Sequence, residues 1–336
     1  MMHALYPAKA TFPLKDWEIL AQQWHPVALV EEVTEEKPFG AILLDVPIVL
    51  YRIGGLLSAA HDLCPHRGTK LSLGYIRDGK LTCPYHGLEF DGAGQCVGVP
   101  AHGAAKGRPR YLDLQAVLVT ERFGLVWVCL LPEPSTAIPD WSIIEQPGNQ
   151  RTILHDCWNA SAGRHVENFC DLAHFSFIHA GTFGLPDFTE VKPYDVERTN
   201  DGFRYIVDIP MLDGSVFDET KTGVVVSEYH VCLPFSTRLT MHYTRGVEHI
   251  CDVASPISAE RCRIFILKSR DHDQDQPLED WRRFQHAVNE EDRVLVESQS
   301  PRGVPIGGSA ERHLSSDHFS VLFRRHWAER GFEGPL

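Results

Sequence analysis

The sequence predicts an α+β protein in two parts, an N-terminal all-β module followed by a domain in which an antiparallel sheet is flanked by helices. Three observations predict it. Before residue 131 the apolar runs are short and strand-like, each bounded by Gly, Pro or Asp. The stretch Leu131-Pro-Glu-Pro-Ser-Thr-Ala-Ile-Pro139-Asp140 then puts three prolines in eight residues with no apolar periodicity, which reads as a linker or seam. Beyond it, alternating strands mix with helical spacing. The expected domains are residues 1–132 and 133–336.

In the first part, Trp17, Leu20, Ala21 and Trp24 recur at helical spacing up to Pro26, so a helix is expected over Trp17–His25. The expected strands are Gly40–Asp45, Ile48–Ile53, Leu56–Ala60, Gly79–Cys83, Glu89–Phe90, Ala116–Arg122 and Leu125–Leu130. In the second part a helix is expected over Ala162–Phe177, with strands Gly202–Pro210, Gly223–Leu233, Arg238–Thr244 and Arg261–Lys268. A long helix follows from about Leu278 to Gln299, and helical spacing returns over Asp317–Glu329. Trp127, Phe175 and Phe177 read as core.

Composition narrows the class. The 336 residues are 43 % hydrophobic and 10 % aromatic, enough to build ordinary cores and to argue against disorder. A formal charge of −13 disfavours nucleic acid as a partner. No run of 18 uncharged apolar residues and no export signal are present, and the nine cysteines have no disulfide-framework spacing, so a cytoplasmic protein with reduced thiols and no membrane span is expected.

Two motifs carry chemistry. The first is Cys64-Pro-His66-Arg-Gly and, after the sixteen residues Arg67 to Thr82, Cys83-Pro-Tyr-His86-Gly. Zinc sites of the same ligand set pair like with like, whereas here each loop offers one sulfur and one nitrogen. That arrangement suits a [2Fe–2S] cluster with two cysteines on one iron and two histidines on the other, the ligand set of a Rieske centre. Neutral imidazole in place of thiolate lowers the negative charge on the cluster and raises its reduction potential, so it accepts an electron readily.

The second motif is Glu167-Asn168-Phe169-Cys170-Asp171-Leu172-Ala173-His174-Phe175-Ser176-Phe177-Ile178-His179. On a continuous helix Asp171 and His174 meet, but His179 lies about 140° from His174. A helix that ends near Phe177 would let both imidazoles converge. Two histidines and one carboxylate with open positions form the facial triad that holds iron in oxygenases. The run Glu290-Glu291-Asp292 offers the carboxylate on the late helix, and helical periodicity does not choose between Glu291 and Asp292. The other fourteen histidines, His3, His165, His230 and His272 among them, lack ligand spacing and read as structural or exposed.

With both motifs in one chain, the sequence resembles the catalytic subunit of the Rieske non-haem iron oxygenases over nearly its whole length. The resemblance implies a Rieske [2Fe–2S] domain with ligands Cys64, His66, Cys83 and His86, and a catalytic domain with mononuclear Fe(II) on His174, His179 and Asp292. It also implies that Asp171 orients His174 and bridges to His86 of a neighbouring subunit in a homotrimer, and that Asn168 lies near the iron. Leu88 stands where the family commonly has Trp. The string from Glu167 through Thr182, with Glu297-Ser298-Gln299, is most similar to bacterial methylxanthine N-demethylases and to oxidative O-demethylases of methoxybenzoates.

The implied activity is that of a terminal oxygenase. It takes electrons from a separate NAD(P)H reductase or ferredoxin and uses O2 to hydroxylate a small aromatic or heteroaromatic compound, in oxidative N- or O-demethylation. Aromatic ring hydroxylation or dioxygenation is the alternative within the family. A bare Rieske electron carrier or an iron–sulfur scaffold without O2 chemistry would leave the triad and about 200 further residues without a task. No Gly-x-Gly-x-x-Gly fingerprint and no plant-type ferredoxin cysteine set occurs, so the reductase is expected to be another polypeptide.

Overall fold

The structure is a computed structural model that describes residues 5–102, 110–212, 222–307 and 311–336, so His3 lies outside the described residues. The chain divides into two compact units, Met1–Ala137 and Ile138–Leu336.

The first unit begins with helix α1 (Leu14–Ala21), whose Trp17, Leu20 and Ala21 are buried. The indole of Trp17 donates to the carbonyl of Leu44 (3.0 Å). This helix is shorter than Trp17–His25, because a residue before proline prefers the extended region and His25 already belongs to a strand. Ten strands follow: β1 (His25–Leu29), β2 (Phe39–Leu43), β3 (Val46–Ile53), β4 (Leu56–His61), β5 (Tyr75–Arg77), β6 (Lys80–Thr82), β7 (Glu89–Phe90), β8 (Cys96–Gly98), β9 (Leu118–Arg122) and β10 (Leu125–Cys129). They form three antiparallel sheets, ordered β1-β10-β9, β2-β3-β4 and β5-β6-β7-β8.

Several neighbours are joined by two-residue turns with both residues at positive φ, among them Gly54-Gly55 between β3 and β4 and Asp78-Gly79 between β5 and β6. Such turns match the twist of a hairpin, and this is why strand-like runs separated by two residues pair as they do. Val49, Tyr51, Leu71, Leu81 and Phe90 form a core that also takes in Cys64, Cys83 and Leu88.

The second unit is built on a seven-stranded antiparallel sheet. Its strands are β11 (Gln150–Trp158), β12 (Glu197–Arg198), β13 (Gly202–Leu212), β14 (Thr222–Cys232), β15 (Ser236–Tyr243), β16 (Gly246–Ser258) and β17 (Arg261–Arg270), in the order β11-β17-β16-β15-β14-β13-β12. Three of these, β11, the two-residue β12 and β16, went unread in the sequence. Strand β16 carries Glu248, His249, Asp252 and Pro256 within an otherwise apolar run, which hides the alternation. Strand β11 is an edge strand with only two of its nine residues buried.

Among the described residues four α-helices complete the unit: α2 (Ala162–Cys170), α3 (Phe175–Ile178), α4 (Leu278–Val296) and α5 (His318–Glu329). The continuous helix expected over Ala162–Phe177 is therefore two helices, with Asp171 in the extended region between them (ψ 136°). Phe177, expected in the core, is 69 % exposed on α3, whereas Trp127 is fully buried.

Helix α2 is held on two sides. The buried His165 Nε2 meets Asp252 of β16 at 2.7 Å. Arg324 of α5 grips Glu167 with two hydrogen bonds of 2.6 Å. A bidentate arginine–carboxylate pair fixes orientation as well as distance, so the segment after α2 starts from a rigid frame.

Candidate metal centres

The two loops of the first unit share one backbone plan. Each begins with Cys-Pro and ends with Gly at a φ of +70°, and in each the glycine N–H donates to the carbonyl of the cysteine four residues earlier, at 2.8 Å for Gly68 and 3.0 Å for Gly87. Only a residue without Cβ adopts that φ at no steric cost. The cysteine N–H groups are tied back as well, Cys64 to the carbonyl of Thr69 and Cys83 to that of Leu88, both at 2.8 Å. Leu88 is buried, so a Leu in place of Trp fills the core beneath the second loop.

The equal loops place histidine third in one and fourth in the other, and the two rings meet with centroids 4.5 Å apart. Both thiols are buried and both imidazoles are exposed. Burial pushes the Cys64 thiol up to about 11, and the neighbouring Cys83 adds to this. Thiolates in such a place need a cation against them, which one iron of a [2Fe–2S] cluster would supply. Neither cysteine is in a disulfide.

In the second unit the break at Asp171 and the four-residue helix α3 set the geometry. His174 caps the start of α3 and His179 its end, the N–H of Ile178 donating to the carbonyl of His174 (2.8 Å) and that of His179 to Phe175 (3.2 Å). This brings two imidazoles five residues apart onto one side, with ring centroids 5.1 Å apart. A single straight helix could not do so.

Each ring is oriented by a carboxylate at Nδ1: Asp171 Oδ2 at 3.0 Å from His174 and Glu291 Oε2 at 2.7 Å from His179. The Thr182 hydroxyl donates to Glu291 (3.0 Å) and holds it there. Burial pushes the Asp171 carboxyl up, but the His174 ring and the N–H of Ala173 outweigh it and hold the group below the usual carboxylate range. Burial pulls the His179 ring down, and the carboxylates of Asp292 and Glu291 overcome this to hold it above the ordinary imidazole value.

Both Nε2 atoms then face Asp292 Oδ1, at 3.5 Å for His174 and 3.3 Å for His179. That oxygen is buried and has no hydrogen-bond partner. With Nδ1–H donated to a carboxylate, each Nε2 presents a lone pair. In that tautomer two lone pairs and a carboxylate oxygen converge, a donor set that a divalent metal ion would satisfy. His174, His179 and Asp292 thus form a group with ligand atoms within 4.8 Å of one another.

Asn168 lies on the last turn of α2, and both it and Asp171 border a surface cleft; Asn168 also lines the cavity beside the triad. The cavity has a volume of about 210 Å³ and apolar walls that include Phe169, Phe183, Met211, Leu239 and Ile250. Sequence reasoning had no signal for the carboxylate on His179, since Glu291 was weighed only as a rival ligand. It also passed over His230, whose Nε2 is 3.0 Å from Asp201 Oδ1 and 3.8 Å from Cys232 Sγ, a second group of metal-capable side chains.

Comparison with known proteins gives this pair of sites its class. A family model for the Rieske [2Fe–2S] domain matches residues 23–117, and one for the vanillate O-demethylase oxygenase C-terminal domain matches residues 158–330. The chain belongs to the Rieske oxygenases of the vanillate O-demethylase type. It is an α+β monooxygenase that carries a Rieske [2Fe–2S] cluster and a mononuclear iron, and it works with a separate reductase or ferredoxin on an aromatic substrate.

Among its relatives is the methylxanthine N1-demethylase of Pseudomonas putida, 31 % identical over 92 % of this chain and 88 % of that protein. The oxygenase component of dicamba O-demethylase from Stenotrophomonas maltophilia is 30 % identical over 90 % of this chain and 95 % of that protein. The structure of Pseudomonas putida NdmA with caffeine superposes with a TM-score of 0.84 at 29 % identity, covering 94 % of this chain and 92 % of that one. Among the described residues no helix is long and apolar enough to cross a membrane.

Proposed function

We propose that this oxygenase removes a methyl group from nitrogen or oxygen on a small aromatic or heteroaromatic ring, releasing it as formaldehyde. The observation that carries the reading is the convergence of His174 Nε2, His179 Nε2 and Asp292 Oδ1 at a small apolar cavity. Relatives whose names specify N-demethylation support it across 92 and 93 % of this chain, and one whose name specifies O-demethylation across 90 %. When bound, the metals would pass on two electrons from the reductase and activate O2, so that one oxygen atom enters the methyl C–H bond and the other leaves as water. The hydroxymethyl product is a hemiaminal or hemiacetal, which collapses without a protein nucleophile.

The work is divided between the two parts of the chain, the cluster in the N-terminal module and the oxygenation in the domain that follows. Cys64 and Cys83 would hold one cluster iron and His66 and His86 the other, which puts the histidine edge, where electrons are exchanged, at the surface. His174, His179 and Asp292 hold the mononuclear iron. Asp171 fixes the His174 ring and, part-exposed at the surface cleft, bridges it to His86 of a neighbouring subunit in a homotrimer, an arrangement that a head-to-tail contact closes as a ring. Asn168 positions substrate or ligand at the cavity wall. The apolar walls orient the ring and keep water from the reacting carbon. The unpaired cysteines fit a cytoplasmic location.

The test supplies a surrogate reductase, NADH, Fe(II) and O2 to methylxanthines and methoxybenzoates, and follows product mass and trapped formaldehyde. Formaldehyde in step with NADH is the expected result. A product that keeps its methyl carbon and gains a ring hydroxyl, with no formaldehyde, moves the reaction to ring hydroxylation.

A further inference from the structure

The cavity beside the triad has a second, charged end. Strand β17 presents Lys268 and Arg270 two residues apart, hence on one face of the sheet, and both lie against the Trp281 ring of α4, with Lys268 Nζ 4.9 Å and Arg270 Cζ 4.3 Å from its centroid. All three line the cavity. Lys268 is matched by Glu248 at 2.7 Å and Arg245 by Asp273 at 3.0 Å. Arg270 is 2 % exposed and has no carboxylate within ion-pair distance among the described residues; its Nε donates to the neutral Gln150 (2.8 Å).

Next to it, His272 is 6 % exposed and turns Nδ1 toward Asp273 (3.0 Å) and Arg245 (3.2 Å). Its Nε2 is buried without a hydrogen-bond partner. In the tautomer that accepts Arg245 at Nδ1, Nε2 carries the proton and can donate into the cavity. A buried guanidinium whose nearest acids, Glu248 and Asp273, stand beyond ion-pair contact and a buried ring nitrogen without a partner are both better satisfied when a ligand completes them.

We propose that this end is a subsite for a carboxylate on the substrate, with Arg270 as its counter-ion and His272 Nε2 as a second donor. The inference rests on the demethylation reading and narrows it from aromatic compounds in general to aromatic acids. Helix α4 also sets the length of the acid. Trp281 and Asp292 are on the same helix, and eleven residues at 1.5 Å rise separate their levels by about 16 Å. After contact distances of about 3 to 4 Å at each end, the ligand between them is on the order of 9 Å long. A benzoate with its methoxy group is too short for that span, whereas an acid carried on a two-carbon arm reaches both ends.

The experiment measures binding to the iron-loaded oxygenase by calorimetry, with 4-methoxycinnamate, its amide and 4-methoxybenzoate as probes. The cinnamate is expected to bind at least about tenfold tighter than its amide and tighter than the benzoate. Arg270→Met should erase the preference for the acid, Arg270→Lys should keep part of it, and His272→Leu should weaken it severalfold. Equal binding of acid and amide by the unaltered protein, or a preference untouched in Arg270→Met and His272→Leu, overturns the subsite. Should Arg270→Met fail to fold, the unaltered protein and the other two variants decide.

Trapped formaldehyde separates the two readings. Acid preference without formaldehyde keeps the subsite and sinks demethylation. Formaldehyde from neutral methylated heterocycles with no acid preference does the reverse.

Discussion

The two metal centres solve opposite problems, and their construction differs accordingly. The candidate cluster site is local: two five-residue loops within residues 64–87, each closed by its own glycine, with sulfurs inward and imidazoles outward. The triad is assembled from a broken helix and a second helix more than a hundred residues later, and each of its imidazoles is backed by a carboxylate. A centre that only exchanges electrons can keep one edge at the surface. A centre that must exclude water and keep a coordination position open has to be buried, and a buried site needs partners on the far side of every ligand ring.

Breaking the comparison at its strongest point should give the largest effect. His174→Ala or His179→Ala removes a coordination bond at the buried site, so turnover should fall to background while the optical spectrum of the cluster persists. The check is metal analysis beside the visible spectrum. Loss of cluster and third iron together would mean that the two centres are not built independently.

The converse change is His86→Cys, which should leave the mononuclear iron in place. It should shift the cluster toward a four-cysteine type, with a potential lower by on the order of a few hundred millivolts or with the cluster lost. An unchanged electron paramagnetic resonance spectrum would remove His86 as a ligand.

Asp171→Asn tests whether the outer carboxylate links the two kinds of centre. Both metals should remain, and reduction of the mononuclear site should slow by about ten- to a hundredfold or more. Co-expression of Cys64→Ala and His174→Ala chains should restore part of the activity if the relay crosses subunits; two variants that never complement would confine it to one chain.

The smallest effect is expected from Glu291→Gln. The amide can still accept from His179 Nδ1 but carries no charge, so iron affinity should fall by about tenfold, with a saturating iron supply recovering activity. Activity that iron does not recover would give Glu291 a part in the reaction beyond orienting the ring.

Most of the first site was legible because its ligands are neighbours in sequence, and the Pro and Gly that shape the loops stand beside them. The triad was half legible. The spacing of Asp171, His174 and His179 gave the residues but not the break that joins them, because propensity alone carries a helix through Asp171.

Apolar spacing alone left Glu291 and Asp292 equal, and it is the burial along α4 that separates them. Trp281, Gln285, Val288 and Val296 are buried at spacings of four, three and eight, and Asp292 falls on that stripe while Glu291 is one residue off it. The charged end of the cavity was not legible at all. Lys268, Arg270 and Glu248 look like solvated strand residues until the register of β16 and β17 places them beneath α4.

The account stands most directly on Asp292. Iron per chain should be measured in Asp292→Ala after reconstitution with Fe(II), with the cluster quantified by its visible absorption. The account predicts that the two cluster irons remain, the third is lost and formaldehyde production ends. An Asp292→Ala protein that keeps all of its iron, beside a Glu291→Ala protein that loses the third, would contradict it and move the ligand by one residue.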